Sequence, residues 1–146
     1  MENDKKISDT ALARFTTAQE KCFEQVIAEL SRGKKTTHWI WYVFPQIFGL
    51  GFSEHSKYYG IKDLAEADAY WRHPLLRERY EECLELILNT QKSAQDILGQ
   101  VDAQKIQSSI TLFLEVDKTS ELLLMAIEEL YFGKKDSQTL LILADS

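Results

Sequence analysis

Apolar residues recur at three- and four-residue steps along most of this chain. The first series runs through residues 12–30 and is followed by Gly33. This spacing is typical of one face of an amphipathic helix, so it predicts a helix that begins at Asp9 or Thr10 and ends at a glycine C-cap. Residues 1–8 are polar and precede the pattern, and we expect them to be flexible.

The same period continues through the rest of the chain. Helices are predicted to begin at or near Asp63, Pro74, Asp102, Ser120 and Asp136, and the one from Pro74 is long. A shorter helix is predicted over residues 54–59, and a turn or short helix over residues 93–99. No segment alternates apolar and polar residues as a half-buried strand does. The predicted fold is therefore all-α, a compact single domain of about seven helices over residues 9–146.

Residues 34–46, with the sequence KKTTHWIWYVFPQ, hold the densest group of aromatic and polar side chains in the chain. Core segments are usually built from Leu, Ile and Val, whereas indole, imidazole and amide groups need hydrogen-bond partners when they are buried. A short apolar segment has no usable period, so this aromatic run fits either a short helix or a buried strand. We favour a helix, because a threonine can cap it and Pro45 ends it.

Composition narrows the function classes. The chain has 146 residues, 45% hydrophobic and 27% charged, which is typical of one globular domain. Its net charge of −6 argues against a generic nucleic-acid binder, although a local basic patch stays open. Cys22 and Cys83 lack metal-ligand spacing and are predicted to be reduced core residues. No apolar leader and no stretch of ~18 apolar residues is present, so we expect a cytoplasmic protein without a membrane partner. We also expect no metal and no cofactor.

The aromatic run supplies apolar walls, polar groups and positive charge, which are the components of a ligand site. We predict that its rings stack on a heterocycle, that its imidazole and amide read the edge of that heterocycle, and that its lysines hold a phosphate or carboxylate. The predicted ligand-binding residues are Lys34, Lys35, Trp39, Trp41, Phe44 and Gln46, with His38 as the candidate catalytic residue. Alternatively, at least one indole belongs to the core, and the imidazole either caps a helix or belongs to the core. The lysines would then complement the negative end of the first helix.

A second group of candidates comprises Lys105, Ser108, Ser109 and Thr111. Hydroxyl residues are mediocre inside helices, so a cluster of them at core-facing positions needs a reason. We predict that Lys105 and Ser109 donate to a bound anion; alternatively, Ser109 lets another helix approach closely. Ser53 follows two glycines that allow close approach to a ligand, and it is counted among the ligand-binding residues as well as being a predicted helix cap.

Several strings are specific enough to compare with known families. The most specific is His38-Trp39-x-Trp41-x-x-Phe44-Pro45-Gln46. The others are Arg14-Phe15-x-x-Ala18-Gln19, Gly49-Leu50-Gly51-x-Ser53, Tyr59-Gly60-Ile61, His73-Pro74, Lys105-x-x-Ser108-Ser109-x-Thr111-Leu112-Phe113 and Phe132-Gly133-x-x-Asp136-x-x-Thr139-Leu140. Together they resemble the bacterial family called domain of unknown function 1810, over nearly the whole chain. The resemblance implies a small helical domain, of a kind sometimes labelled calpastatin.

The helical layout and the Phe-x-x-Ala-Gln start are also similar to a family that acts on N-glycosides related to ADP-ribose and riboflavin precursors. Such hydrolysis needs a carboxylate and a proton donor for the leaving base. The candidate carboxylates, which also fit as helix caps or first-turn residues, are Asp63, Glu66, Asp102 and Asp136. His38 would be the donor, and His73 is an alternative acid or base, or a cap. No Ser/His/Asp spacing or metal cluster supports another hydrolase.

Two functions of different classes follow. The first is a small-molecule site for a nucleotide-like or other phosphorylated heterocycle, with N-glycoside hydrolysis as its enzymatic form. The second is a non-enzymatic helical interaction module, in which the aromatic residues are core and the acidic surface faces a protein partner. The pattern does not fix the oligomeric state.

Overall fold

A computed structural model describes the backbone of residues 2–145 and the side chains of residues 10–145. Over residues 2–145 the chain forms nine helices and no strand: α1 (Glu2–Ser31), α2 (Ile40–Val43), α3 (Glu54–Tyr59), α4 (Leu64–Arg72), α5 (Pro74–Asn89), α6 (Ala94–Leu98), α7 (Gln100–Leu114), α8 (Glu121–Tyr131) and α9 (Ser137–Ala144). The predicted all-α class is confirmed. The predicted number of about seven helices was too low: α2, favoured as a helix, and α6, predicted as a turn or short helix, each form a separate helix, of four and five residues.

Helix α1 is longer than predicted, since it begins at Glu2. Its end matches the prediction. Gly33 adopts a φ of +74°, its N–H donates to the Leu30 carbonyl at 3.0 Å, and the Lys34 N–H donates to the Glu29 carbonyl at 3.0 Å. These two bonds form a Schellman motif, which turns the chain back towards α1. The flexibility expected of the N-terminal residues stays a prediction. No helix of residues 2–145 is both long and apolar enough to cross a bilayer.

Helix α7 lies at the centre of the fold, where it contacts α2, α4, α6, α8 and α9. Residues 108–114 of this helix are all buried, as expected for a helix surrounded by others. Ser108 and Thr111 donate to carbonyls four residues earlier, at 3.1 and 2.8 Å. The Thr111 hydroxyl also accepts the Asp136 N–H at 2.9 Å, which joins α7 to the start of α9. The hydroxyls of Ser108 and Thr111 are therefore satisfied by hydrogen bonds within the fold.

Aromatic rings fill the space around α7. The Phe113 ring lies 5.2 Å from the Tyr70 ring, 5.1 Å from the Trp71 ring and 5.2 Å from the Tyr80 ring, measured between centroids. The buried Tyr80 hydroxyl lies 2.9 Å from the Ser109 hydroxyl. Burial raises the pKa of Tyr80 well above its ordinary value of 10.0, so this phenol stays protonated.

Most predicted caps are confirmed. N–H groups in the first turns of α3, α4, α8 and α9 donate to the side chains of Ser53, Asp63, Ser120 and Asp136. His73 caps α5 through Nδ1, with Pro74 at the first helical position. Asp102 does not open α7, because that helix already begins at Gln100. The helix favoured for the aromatic run forms as the single turn α2. The predicted threonine cap is wrong, because the N-cap of α2 is Trp39 and no side chain caps this helix.

Candidate functional site

A buried carboxylate on α1 holds the aromatic run in place. Glu29 accepts hydrogen bonds from Gln25 Nε2 at 2.9 Å, the Thr36 N–H at 2.8 Å, the Thr37 N–H at 3.0 Å, Thr37 Oγ1 at 2.5 Å and Trp39 Nε1 at 3.0 Å. All five donors are uncharged, and Glu29 is completely buried. The run therefore returns onto α1 directly after the Schellman turn.

Glu29 stays ionised in this environment. Burial by itself raises the pKa of the carboxyl group, but the bonds from Thr37, Gln25 and the Thr36 backbone outweigh burial. They hold the pKa well below its ordinary value of 4.5. The negative charge is thus stabilised by fixed hydrogen-bond donors, from Gln25 of α1 and from Thr36, Thr37 and Trp39.

Lys35 is also tied into the structure. Its N–H donates to the Ile97 carbonyl at 2.8 Å, and its ammonium donates to the Thr37 carbonyl at 2.6 Å. The ammonium also pairs with Asp102 at 2.7 Å and lies 5.0 Å from the centroid of the Trp39 ring. The side chain is only 6% exposed. These contacts join the run to α6 and α7, and they leave little of Lys35 for a ligand.

Three of the predicted ligand-binding residues lie in the core. Trp39 is 1% exposed, and Phe44 and Ser109 are each 0% exposed. The Phe44 ring packs 4.8 Å from the Tyr80 ring, whose hydroxyl bonds to Ser109. The alternative in which one indole belongs to the core is confirmed for Trp39. Packing and internal hydrogen bonds account for all three side chains. None of them lines the cavity of about 360 Å³ that Lys105 and Gln46 line.

His38, Lys34 and Ser53 lie at the surface. The carbonyl of His38 accepts the Tyr42 hydroxyl at 3.4 Å. The backbone of Lys34 completes the end of α1, and the side chain of Ser53 caps α3. None of the three lines the cavity that contains Lys105.

Lys105 and Gln46 are brought together in a cavity of about 360 Å³. Its lining comes from the loop after α2, the first turn of α3, helix α7 and the start of α9. The lining residues are Gln46, Leu50, Gly51, Ser56, Val101, Gln104, Lys105, Gln107, Ser108, Asp136 and Gln138. They present four carboxamides, two hydroxyls, one ammonium and one carboxylate. The volume lies within the range of small-molecule sites, roughly 300–1,000 Å³.

The Lys105 ammonium, which lies beside this cavity lining, has an ion-pair partner but no hydrogen bond to it. Asp102, its nearest anionic partner, pairs with Lys35 at 2.7 Å and lies 3.8 Å from the Lys105 ammonium, which is too far for a hydrogen bond. The same ammonium lies 5.0 Å from the centroid of the Trp41 ring. Lys105 therefore connects the cavity with the second indole of the aromatic run.

Trp41 is partly buried, and its ring stacks on the His55 ring at 4.5 Å. Among the buried side-chain nitrogen and oxygen atoms of the described residues, Trp41 Nε1 alone has no hydrogen-bond partner. Buried donors without a partner are rare in proteins. The other two indoles donate to carboxylates, Trp39 to Glu29 and Trp71 to Asp117 at 3.0 and 2.9 Å.

Only one of the four candidate carboxylates lines this cavity. Asp136 does so while its Oδ2 accepts the Thr139 N–H at 3.0 Å and the Thr139 hydroxyl at 2.5 Å. Asp63 caps α4, Glu66 pairs with Arg14 at 3.0 Å, and Asp102 pairs with Lys35. No three histidine, cysteine or carboxylate side chains of residues 10–145 are placed to hold a metal ion.

Two other depressions, each of about 510 Å³, lie elsewhere on the described surface. One follows α5 and is lined mainly by Arg77, Glu78, Glu81, Glu82 and Glu85. The other lies between α1 and α3 and contains two cations, Arg14, which pairs with Glu66 at 3.0 Å, and the exposed Lys21. We place the candidate site in the cavity that contains Lys105, because four carboxamides and two hydroxyls line it together with the ammonium.

The comparison with known proteins agrees with this fold. The profile of the family described as protein of unknown function (DUF1810) matches residues 9–143. This chain belongs to that family. The fold is similar to the crystal structure of the conserved hypothetical protein Rv1873 from Mycobacterium tuberculosis, with 40% sequence identity and a TM-score of 0.88. That match covers 91% of this chain and 96% of the other. No curated protein matches the chain.

Sequence reasoning missed the role of Glu29, although the sequence contains a signal for it. Glu29 continues the three- and four-residue spacing of Cys22 and Val26, so it falls on the buried face of α1. Gln19 lies on the same face, and its amide donates to the Tyr42 carbonyl at 2.6 Å. A polar residue in an apolar register is a sign of an internal hydrogen-bond network.

We expect Glu29→Gln to lower the free energy of unfolding at pH 7 by about 2–4 kcal/mol, because an amide cannot accept all the bonds that the carboxylate accepts. The pKa of Glu29 is lower in the folded than in the unfolded chain, so its contribution is present above pH ~4.3 and is lost as the pH falls further. Urea denaturation at pH 7 and pH 3 measures both effects. The difference between wild type and variant should shrink at pH 3.

Glu24→Gln is the matched control, since Glu24 is an exposed glutamate on the same helix. It should change the free energy of unfolding by less than ~0.5 kcal/mol at either pH. Equal effects of the two substitutions would contradict the role assigned to Glu29.

Proposed function

We propose that this protein binds a nucleotide-like or other phosphorylated heterocyclic molecule in the cavity that contains Lys105. The observation that carries the proposal is the convergence of the Lys105 ammonium with the side chains of four glutamines and two serines in a cavity of about 360 Å³. A phosphate matches the ammonium, and amides and hydroxyls match the hydroxyls and ring atoms of a nucleoside.

The position of Asp102 between Lys35 and Lys105 supports the binding of an anionic ligand. Asp102 pairs with Lys35 at 2.7 Å and lies 3.8 Å from the Lys105 ammonium, so it forms an ion pair with Lys105 but no hydrogen bond. A phosphate that approached Lys105 would meet a cation with an incomplete set of partners. The amides of Gln104 and Gln138 lie in the same lining and would donate to the anion.

The surroundings of Trp41 also support the proposal that a ligand binds beside this residue. Its indole N–H is buried and has no partner among the described residues, and its ring lies 5.0 Å from the Lys105 ammonium. A ligand that shifts Lys105 would change the surroundings of this ring. Stacking of the ligand directly on Trp39 or Phe44 is not part of this proposal, because both rings are buried in the core.

We expect the melting temperature to rise by about 5–10 °C with adenosine monophosphate, ADP-ribose or a flavin precursor at a concentration near 100 times Kd. Lys105→Gln should weaken the binding at least about tenfold, because it removes a charge-assisted hydrogen bond. Differential scanning fluorimetry followed by calorimetric titration gives both values.

Lys118→Gln is the control for the loss of one positive charge, since Lys118 is exposed and does not line the cavity. It should leave Kd unchanged. If Lys105→Gln binds as tightly as wild type, or if no phosphorylated heterocycle shifts the melting temperature of the folded protein, the proposed site is wrong.

The enzymatic form of the proposal is hydrolysis of an N-glycosidic bond. Such a reaction needs a carboxylate that stabilises positive charge on the sugar or activates water. Asp136 lines the cavity, and its position is fixed by the two bonds from Thr139. His38, the donor expected from the sequence, does not line this cavity, so we assign no proton donor.

We expect Asp136→Asn to lower the release of free base from the bound N-glycoside by about 10²–10⁴-fold. Asparagine caps helices as well as aspartate does, so α9 should keep its start and the melting temperature should hardly change. Chromatography of the released base measures the rate, and Asp63→Asn, at the cap of α4, is the control. Full activity of Asp136→Asn would remove this residue from the reaction.

The second candidate function is the non-enzymatic interaction module. The depression along α5 favours it, because four glutamates line that depression and would attract a basic partner. Calorimetric titration with a basic peptide tests this candidate, and an unchanged heat signal would reject it.

A further inference from the structure

One carboxylate of α7 lies between two lysines. Asp102 Oδ2 is 2.7 Å from the Lys35 ammonium, and Asp102 Oδ1 is 3.8 Å from the Lys105 ammonium. Each oxygen of the carboxylate therefore faces a different cation. Lys105 lines the cavity, whereas Asp102 and Lys35 do not. These distances connect Lys35, through Asp102, with a site that Lys35 does not line.

The two ammonium groups differ in how firmly they are held. The Lys35 ammonium donates to the Thr37 carbonyl at 2.6 Å and lies 5.0 Å from the centroid of the Trp39 ring, and its side chain is only 6% exposed. The Lys105 side chain is 23% exposed, and its ammonium lies 5.0 Å from the centroid of the Trp41 ring. A lysine ammonium has three donors on a flexible stem, so Lys105 can turn to a new anion more freely than Lys35 can.

Asp102 would bind a different partner if the charge of Lys35 were lost. Lys35 and Lys105 are the cations of the described residues within ion-pair distance of its carboxylate. Lys105 follows Asp102 by three residues on α7, so the two side chains lie on the same face of the helix. A shift of about 1 Å, from 3.8 Å to the roughly 2.7–2.9 Å of a charge-assisted hydrogen bond, would let them bond directly. The carboxylate would then occupy a donor that a phosphate needs.

We infer that Asp102 competes with the phosphate of the ligand for Lys105, and that Lys35 limits this competition by holding Asp102. Lys35 is thus a positioning residue, which sets the affinity of the site without touching the ligand. This inference rests on the proposed function and names the two residues that control the strength of its phosphate contact. It also gives Lys35, whose ammonium is used in a salt bridge, an indirect role in binding.

Calorimetric titration of three variants with adenosine monophosphate tests this chain of contacts. Lys35→Gln should weaken binding by roughly 3–30-fold, a loss between that of an exposed ion pair and that of a charge-assisted hydrogen bond. Asp102→Asn should tighten binding by roughly 2–5-fold, because the competing charge is removed. The double variant should bind as tightly as Asp102→Asn alone, because Lys35 acts through the carboxylate.

Lys34→Gln and Asp96→Asn are the controls, since they make the same changes of charge at exposed side chains near the substituted residues. Neither should change Kd. Melting temperatures show whether each variant is folded. If Lys35→Gln does not fold, the affinity of Asp102→Asn still decides, because a competitor and a supporting residue predict shifts of Kd in opposite directions.

Two results would overturn the inference alone. If Lys35→Gln weakens binding equally with and without the carboxylate of Asp102, Lys35 acts through its own charge or through the fold. If Asp102→Asn binds more weakly than wild type, Asp102 is not a competitor. In both cases a loss of affinity in Lys105→Gln leaves the proposed function standing. If wild type binds neither adenosine monophosphate nor any other phosphorylated heterocycle, the proposed function fails and this inference fails with it.

Discussion

The buried carboxylate of Glu29 is the interaction on which the rest of this structure depends. It lies in the last turn of α1 and accepts five hydrogen bonds, from Gln25, Thr36, Thr37 and Trp39. A buried charge without such partners would cost several kcal/mol. The carboxylate therefore holds the returning chain in one position. That position places the Trp39 indole in the core. Because α2 begins at the next residue, it also fixes where α2 and the following loop start.

The polar residues near the aromatic run divide into two groups. One group is used within the fold: Lys35 pairs with Asp102 and binds a backbone carbonyl, and the indole of Trp39 donates to Glu29. The other group is left with incomplete partners: Lys105 is 3.8 Å from Asp102, and the buried indole nitrogen of Trp41 has none among the described residues. Both residues of the second group are at or beside one cavity, and this is why we locate function there.

Local features of the fold could be predicted from the sequence, because the residues that determine them are close together in the chain. The glycine end of α1 and the caps of Ser53, Asp63 and Asp136 depend on contacts over a few residues. A core indole was one of the sequence-based alternatives, but which indole it is, and the salt bridge of Lys35, depend on partners brought together by folding. The string of hydroxyls on α7 was interpreted as an anion site, whereas burial between five helices accounts for Ser109 and Thr111.

The most direct test of the binding site is a nuclear magnetic resonance titration of the three tryptophan indole N–H signals with adenosine monophosphate. Trp39 and Trp71 donate to carboxylates in the interior, whereas the Trp41 ring lies 5.0 Å from Lys105 beside the cavity. The account predicts that the Trp41 signal moves as the ligand saturates, while the signals of the other two indoles stay in place. A Trp41 signal that does not move at any ligand concentration would contradict the account.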